Sequence, residues 1–435
     1  MPRVLAIDVG TSSARAQVFE EDAEEREPAR RGYPGETDPA RIVWLVREAV
    51  DEAAAGQQYD AVSGSCFGHS LLPLDERGRP LTEILGWRDT RSAGSAEWLS
   101  RRVDPEAVYT RTGCHVHTSY WPAKLAWLAE QNVRASKLVG FSEYLYAQVL
   151  GRDVPMSLSL ASATGLLDLH ARAWDQELLG VLGVDPEQLP EISDEAADGW
   201  YPALLDGACS NLGAGCVTSD RAALNIGTSG AIRVLREGEP EPQPGLFSYF
   251  LDERHVVEGG AVSDGGNLYA WAQRTLRLEE RLEPREPDGH GLTFLPQLGG
   301  ERSLGWNPRA SGAVAGLTFE TDAHDLLQAA FEGVAYRIAE IAGGLPAVRE
   351  VVATGHALLE SDWWMQVFAD ALGRPVVVSD VAEGSARGAA VHVLERLGAD
   401  PEPAPLGRRH EPDPERGKVY DAARARQRAL YDELF

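Results

Sequence analysis

The sequence predicts an α/β protein whose two similar halves face each other across a central cleft. Residues 4–19, VLAIDVGTSSARAQVF, contain two apolar runs separated by a turn of small polar residues, as expected for a strand, a tight turn and a second strand. The phrase recurs about half a chain later, because IDVGTSSA at residues 7–14 matches LNIGTSGA at residues 224–231. A supersecondary unit repeated in this way indicates a duplicated domain with two loops at one cleft.

The first of these turns has the composition of a phosphate-binding loop. Gly10 lets the backbone approach phosphate oxygens closely. Thr11, Ser12 and Ser13 offer hydroxyl groups and consecutive backbone N–H groups, which together can bind an anion. Arg15 adds positive charge to the loop. A plain hairpin with a polar turn is the alternative interpretation of this stretch.

The two copies differ at one position that bears on metal binding. Asp8 ends the first predicted strand, where a carboxylate can hold the water shell of a metal ion, whereas Asn225 takes its place in the second copy. We therefore expect the second loop, Gly227, Thr228 and Ser229, to bind phosphate oxygens only. The paired loops resemble those of the actin-like (ribonuclease H-like) ATPase fold of sugar kinases, hexokinases and heat-shock ATPases.

The composition and net charge of the chain indicate which kinds of ligand and partner it can bind. The chain has 435 residues and a formal net charge of −26, which repels nucleic acid and anionic membranes. An anionic ligand therefore needs local positive groups inside the cleft. None of the four cysteines forms a CxxC pair, so neither a zinc site nor a redox motif is indicated. The chain shows no signal peptide and no apolar run of transmembrane length, which favours a cytoplasmic protein.

A cluster of aromatic and charged residues follows a predicted strand near residue 85. Trp87, Arg88, Asp89 and Arg91 combine a ring surface with charged hydrogen-bonding groups, which suits a polyol ligand. A surface ion pair resting on an aromatic ring is the alternative.

Several of these motifs resemble the FGGY family of carbohydrate kinases, which includes gluconokinases, xylulokinases and glycerol kinases. IDVGTSSAR resembles the first phosphate motif of the family, and WRDTR at residues 87–91 resembles its W-x-D-x-R substrate segment. FGHSL at residues 67–71 resembles its substrate turn, and residues 312–332 satisfy its second signature. The resemblance covers nearly the whole chain and implies sugar contacts by His69, Trp87, Asp89 and Arg91.

The same resemblance implies further nucleotide-binding positions in the second half. Gly265 lies in GGAVSDGGNLYAW, which is similar to the family's helix entry over the nucleotide. Gly355 and Ala357 lie where the family has a run of glycines around the adenine. ATP is the expected phosphoryl donor. Because His356 interrupts that run of glycines, another donor stays open.

Asp206 is the candidate catalytic base. It follows an apolar pair and begins a predicted helix of small residues, where the helix dipole favours an ionised carboxylate. Transfer of a phosphoryl group to a sugar hydroxyl uses such a base beside the acceptor oxygen. A simple helix cap is the alternative. In gluconokinases of the family, the catalytic aspartate lies in an Asp-Gly-x-x-x-Asn-Leu-Gly segment, which residues 206–213 match.

These features together predict an ATP- and magnesium-dependent kinase of a sugar or sugar acid. Residues 1–220 are expected to carry the sugar site and Asp206, and residues 221–435 the nucleotide site. The substrate turn and the Asp206 segment favour gluconate, which would become 6-phosphogluconate. Xylulose or another pentulose or polyol is the alternative substrate. An actin-fold ATP-binding sugar sensor without phosphoryl transfer is the alternative from another class, and a homodimer is a further expectation.

Gluconate carries a carboxylate, which should need a cation nearby. Arg88, Arg91 and Lys124 are the candidates in the sequence.

Overall fold

The computed structural model describes residues 1–278 and 284–435, in which strands and helices are mixed throughout both halves. The strands of the first half are β1 (Val4–Val9), β2 (Ser13–Phe19), β3 (Ala29–Gly32), β4 (Ala61–Cys66), β5 (Leu72–Leu74), β6 (Lys137–Val139), β7 (Leu167–Asp168), β8 (Ala173–Trp174) and β9 (Leu204–Leu205). Its helices are α1 (Pro39–Ala54), α2 (Ala93–Ser100), α3 (Pro105–Thr112), α4 (Trp121–Glu130), α5 (Phe141–Leu150), α6 (Leu158–Ser162), α7 (Gln176–Leu182) and α8 (Asp206–Gly213).

The second half repeats the pattern with a larger sheet. Its strands are β10 (Arg221–Ile226), β11 (Gly230–Glu237), β12 (Phe247–Phe250), β13 (His255–Val262), β14 (Thr293–Leu295), β15 (Ala313–Ala315), β16 (Glu350–Thr354), β17 (Val376–Ser379) and β18 (Leu406–His410). Its helices are α9 (Asn267–Thr275), α10 (Ala323–Gly343), α11 (His356–Leu359), α12 (Asp362–Leu372), α13 (Gly384–Arg396) and α14 (Pro414–Leu434).

The two main sheets share one arrangement at their centres. The order of the first is β3-β2-β1-β4-β9, and that of the second is β12-β13-β11-β10-β16-β17-β18. In each, the first strand of the repeated phrase pairs antiparallel with its hairpin partner and parallel with a later strand, β4 in one half and β16 in the other. The predicted two-fold α/β architecture of actin-like type is confirmed. The division at residue 220 stays a prediction.

Local sequence signals explain several element ends. Asp38 caps α1 by accepting the N–H of Ala40, as expected for an aspartate before a proline-started helix. Ser361 caps α12 in the same way, through the N–H of Trp364. The apolar residues of α1 lie on one face and are buried against the first sheet, so the periodicity in the sequence sets the packing of this helix.

Helix α13 belongs to the second half of the chain but packs against β1, β4 and α8 of the first. Glycines bring α8 and α13 into direct backbone contact. A Cβ atom on Gly213 would lie 1.8 Å from the carbonyl oxygen of Gly384, and one on Gly388 would lie 1.9 Å from that of Cys209. Larger residues at either glycine would force the two helices apart.

The helices of residues 1–278 and 284–435 are all too short or too polar to traverse a lipid bilayer.

Candidate active site

The two repeated turns are closed by backbone hydrogen bonds at the start of each loop. The N–H of Gly10 donates to the carbonyl oxygen of Ser13 at 3.0 Å, and the N–H of Gly227 donates to that of Ser229 at 3.0 Å. The second turn is therefore one residue tighter than the first. Ser13 is buried, whereas Thr11 and Ser12 are exposed.

Both turns open onto one cavity between the halves. Thr11 and Ser12 from the first turn and Thr228 from the second line a cavity of about 670 Å³, and all three are exposed to it. The same cavity reaches Trp87 and Asp89. The structure thus brings both predicted phosphate loops and part of the predicted sugar segment to a common cleft.

Asp8 is buried near the end of β1, just before the first turn. Its Oδ1 accepts a hydrogen bond from the Ser65 hydroxyl at 2.9 Å, and its Oδ2 accepts one from Arg15 Nη1 at 3.0 Å. Burial raises the pKa of Asp8, while the charge of Arg15 opposes this rise. Arg15 also lies 2.7 Å from Glu383, so the structure places its guanidinium between two carboxylates.

Asp206 is the first residue of α8 and lies where the two halves meet. The residue before it, Leu205, holds the N-cap position, and Asp206 Oδ1 accepts the N–H of Gly207 at 2.8 Å. Burial raises the pKa of Asp206 to about 6, against the opposing charge of Arg233; the negative charge of Asp8 adds to the rise. At neutral pH this partly buried carboxylate is mostly ionised and able to accept a proton.

Arg233 is a site residue that the sequence analysis did not identify. It lies on β11 and reaches back to the start of α8, since a Cβ atom on Gly207 would lie 2.9 Å from Arg233 Nε. The side chain of Asn211 donates to the Arg233 carbonyl oxygen at 3.0 Å and ties the helix to the strand. Burial lowers the pKa of Arg233, and the charge of Asp206 opposes that shift. The available signal was an arginine inside the otherwise apolar strand phrase AIRVL.

His69 lies at the substrate turn in a left-handed backbone conformation, with φ of 63°. Its Nδ1 donates to the carbonyl oxygen of Ala163 at 2.6 Å, which leaves Nε2 as an acceptor. Burial lowers the pKa of His69 to about 3, so the ring is neutral at physiological pH. Tyr120 packs against the ring edge-on, with 5.0 Å between ring centroids.

Lys124 and Arg91 are engaged in contacts within the protein. Lys124 is 1% exposed and donates to the main-chain oxygens of His69 and Ser119. Burial lowers the pKa of Lys124 to about 7. Arg91 donates through Nε to Asp89 at 2.9 Å and lies 2.8 Å from Glu83. Arg88 contacts the ring of Trp87 and faces the cleft.

The predicted nucleotide-binding residues gather around the second turn. The N–H of Gly266 donates to the Gly227 oxygen at 2.8 Å, and a Cβ atom on Gly265 would lie 2.9 Å from the backbone of Ser229. Gly355 has a φ of 89°, and a Cβ atom there would lie 2.6 Å from the backbone at the end of β10. Ala357 packs against Gly266. The His356 side chain is 90% exposed and points away from this group.

Comparison with known proteins identifies relatives over nearly the whole chain. Models of the FGGY family of carbohydrate kinases match here, the N-terminal domain over residues 3–199 and the C-terminal domain over residues 222–393. A gluconokinase of Bacillus subtilis strain 168 is 31% identical over 451 residues, covering 91% of this chain and 88% of that protein. A gluconate kinase structure from Lactobacillus acidophilus has a TM-score of 0.88 at 26% identity, covering 100% of this chain and 98% of the other. A ligand-bound xylulose kinase from that organism gives the same four values.

Proposed function

Because the chain belongs to the FGGY family of carbohydrate kinases, and is therefore a sugar phosphotransferase, we propose that its acceptor is gluconate and its product 6-phosphogluconate. The observation that carries the proposal of transfer is Asp206, a carboxylate with a pKa of about 6 at the meeting of the two halves. The gluconokinases among its relatives and the substrate-turn sequence support gluconate as the acceptor.

The residues of this chain divide the work of phosphoryl transfer. Asp206 accepts the proton of the sugar hydroxyl as that oxygen attacks the γ-phosphorus of ATP, while the bond from the γ-phosphorus to the bridging oxygen breaks and ADP leaves. The positive charge of Arg233 favours the ionised form of that carboxylate. Thr11, Ser12 and Thr228 contact the phosphate oxygens from both sides of the cleft.

The remaining predicted residues have roles on either side of this centre. His69, Trp87, Asp89 and Arg91 form the sugar side in our proposal. Gly10, Ser13 and Arg15 support the first loop. Gly227, Ser229, Gly265, Gly355 and Ala357 form the nucleotide side. Residues 1–220 and 221–435 would then be the sugar and nucleotide domains, while the cytoplasmic location and the homodimer stay predictions.

Magnesium fits the oxygen chemistry of Asp8. Each oxygen of Asp8 accepts one hydrogen bond, from Ser65 or Arg15, which leaves lone pairs to accept from metal-bound water. We propose that Asp8 holds the ion through water. When bound, magnesium supplies positive charge to the phosphate oxygens of ATP.

The substitution Asp206→Asn tests the proposed transfer. It preserves size but removes the proton acceptor, so turnover should fall by roughly 10²–10⁴-fold. ATP affinity and melting temperature should change little, because the phosphate turns lie elsewhere. Asp153→Asn, on an exposed residue, is the matched control. Normal turnover in a folded Asp206→Asn protein would remove Asp206 from the mechanism and favour the sugar-sensor alternative.

The substrate is tested by comparing kcat/KM for gluconate and xylulose with a coupled assay of ADP release. We expect gluconate to be preferred. A preference for xylulose would favour the xylulokinase alternative. The chain is as similar to a solved xylulose kinase as it is to a solved gluconate kinase, in TM-score and in sequence identity.

A further inference from the structure

A second cavity, of about 370 Å³, lies beside the first and takes its walls from both halves of the chain. Its lining includes Trp87, Arg88, Ser119, Thr228, Gly300 and Arg302. The lining also includes Glu301, whose carboxylate is paired with Arg337, so Arg88 and Arg302 are a concentration of positive charge in a protein whose net charge is −26.

Arg88 and Arg302 meet at the indole ring of Trp87. Their guanidinium carbons lie 4.7 Å and 5.0 Å from the ring centroid, within the range of cation–π contact. Burial lowers the pKa of Arg88, and the charge of Arg302 lowers it further. The ring thus holds two like charges close enough to repel each other.

Neither guanidinium forms an ion pair with a carboxylate in the part of the chain that the structure describes. Arg302 Nε is buried without a hydrogen-bond partner. The carboxylate of the adjacent Glu301 is bonded to other residues, because its oxygens accept from Arg337 at 2.7 Å and from Tyr431 at 2.6 Å. Arg88 is exposed, whereas Arg302 is half-buried. The unpartnered Nε of Arg302 is therefore the costly group, and a bound anion would offset that cost.

We propose that Arg88 and Arg302 bind the carboxylate of the sugar acid, so that this enzyme selects an aldonate over a neutral sugar by charge. The inference rests on the proposed gluconate kinase function and names the residues behind it. Guanidinium groups suit carboxylates because their N–H groups form paired, charge-assisted hydrogen bonds. Arg88 occupies the variable position of the W-x-D-x-R segment.

The proposed contact orients the substrate. In gluconate the carboxylate is C1 and the phosphorylated hydroxyl is on C6, at opposite ends of the carbon chain. With C1 held at the two arginines, C6 would have to reach Asp206, whose carboxylate is within the electrostatic reach of Arg302. Because Arg88 and Arg302 come from different halves, a carboxylate between them also bridges the cleft and favours its closed form.

The test compares gluconate with gluconamide, a neutral amide of the same carbon chain, in Arg88→Gln and Arg302→Gln. Each variant should lower kcat/KM for gluconate by roughly 10- to 100-fold, the range expected for a lost hydrogen bond to a charged group. We expect kcat/KM for gluconamide and KM for ATP to stay within about threefold of wild type. Arg101→Gln is the control, since Arg101 is an exposed arginine that pairs with Glu97 on α2.

Three outcomes would overturn the inference. An equal loss for gluconate and gluconamide would mean that the arginines only support the structure. A raised KM for ATP with an unchanged ratio of gluconate to gluconamide would mean that they bind nucleotide phosphates. A wild-type enzyme that uses gluconamide as well as gluconate would show that charge is not recognised. If a glutamine variant fails to fold, the lysine variant should still prefer gluconate to gluconamide, and loss of that preference would count against the proposal.

The failure of this inference differs from the failure of the proposed function. A wild-type enzyme that phosphorylates neutral sugars but not gluconate contradicts the function itself. Gluconate phosphorylation that is insensitive to both glutamine substitutions contradicts only the role of the arginines.

Discussion

Each repeated hairpin forms a side-chain hydrogen bond to the neighbouring parallel strand at the same position. The bonded group is a charged carboxylate in the first hairpin and a neutral amide in the second. Asp8 faces Ser65 across the parallel pair β1–β4, and Asn225 faces Thr354 across the parallel pair β10–β16. In the first pair the Ser65 hydroxyl donates to a carboxylate at 2.9 Å. In the second pair the Asn225 amide donates to the Thr354 hydroxyl at 3.0 Å. The scaffold is thus duplicated while the charge is confined to one copy.

If both turns bind phosphate as proposed, this difference gives one fold two kinds of phosphate loop. The charge of Asp8 acts on Asp206 and raises its pKa, so the first hairpin is electrostatically coupled to the candidate base. Asn225 carries no charge and serves only to hold β10 against β16. A charged copy suits a metal and a neutral copy suits phosphate oxygens, which carry negative charge themselves.

The largest effect is expected from making the first hairpin chemically like the second. In Asp8→Asn, the amide oxygen can still accept from Ser65, so the fold should persist. We expect kcat at saturating ATP and magnesium to fall roughly 10²-fold or more, the usual effect of removing one electrostatic contributor from a phosphoryl-transfer site. Circular dichroism provides the control for folding. A folded variant with full turnover would show that the charge of Asp8 is dispensable.

The converse change should have a smaller effect, on nucleotide binding. Asn225→Asp places a carboxylate beside the second phosphate turn, where it repels ATP. We expect KM for ATP to rise roughly tenfold, equivalent to about 1.4 kcal/mol. Asn225→Ala removes the hydrogen bond to Thr354 without adding charge and should change KM less. Equal effects of the two substitutions would mean that the contact to Thr354, and not the missing charge, distinguishes this hairpin.

A third prediction concerns the pH dependence of catalysis. A general base must be ionised, and the pKa of Asp206 is about 6, so kcat/KM for the sugar should fall as the pH drops through about 6. The charge of Asp8 raises that pKa. The residual activity of Asp8→Asn should therefore keep its level to a lower pH than wild type. A pH profile that is unchanged in this variant would contradict the coupling between the two carboxylates.

The smallest effects are expected in stability. Ser65→Ala leaves the buried Asp8 carboxylate with one hydrogen bond fewer, and Thr354→Val removes a bond between neutral groups. The free energy of unfolding should fall by about 1.5–3 kcal/mol in the first variant and by about 1 kcal/mol in the second. Urea unfolding of both proteins makes the comparison. A greater loss in Thr354→Val would reverse the ranking of the two hydrogen bonds.

The sequence was informative where a short motif carries both the local shape and the chemistry. The duplicated hairpin and the helix that begins at Asp206 could be read from small residues and apolar runs alone. The turn length could not, because IDVGTSSA and LNIGTSGA align without a gap although the second loop is one residue tighter. The physical reason lies at Gly230, where a Cβ atom would lie 2.6 Å from Ile226.

The contacts between the two halves could not be predicted from the sequence either. Arg302 lies against Trp87, and Arg233 lies beside Asp206, although both arginines come from distant positions in the chain. No local sequence pattern predicts such contacts. Lys124, a candidate in the sequence for the gluconate carboxylate, is instead buried, and its ammonium group donates to two main-chain oxygens.

The crossing of α8 and α13 has a consequence for how the protein is made. All strands of the first sheet have been synthesised once β9 is complete at Leu205. The core of that half nevertheless includes apolar residues of α13, which ends at Arg396. The nascent first half therefore waits with an uncovered apolar surface until almost the whole chain has been translated. Truncation before Gly384 would leave that surface permanently bare, and such a fragment should be retained by chaperones and aggregate.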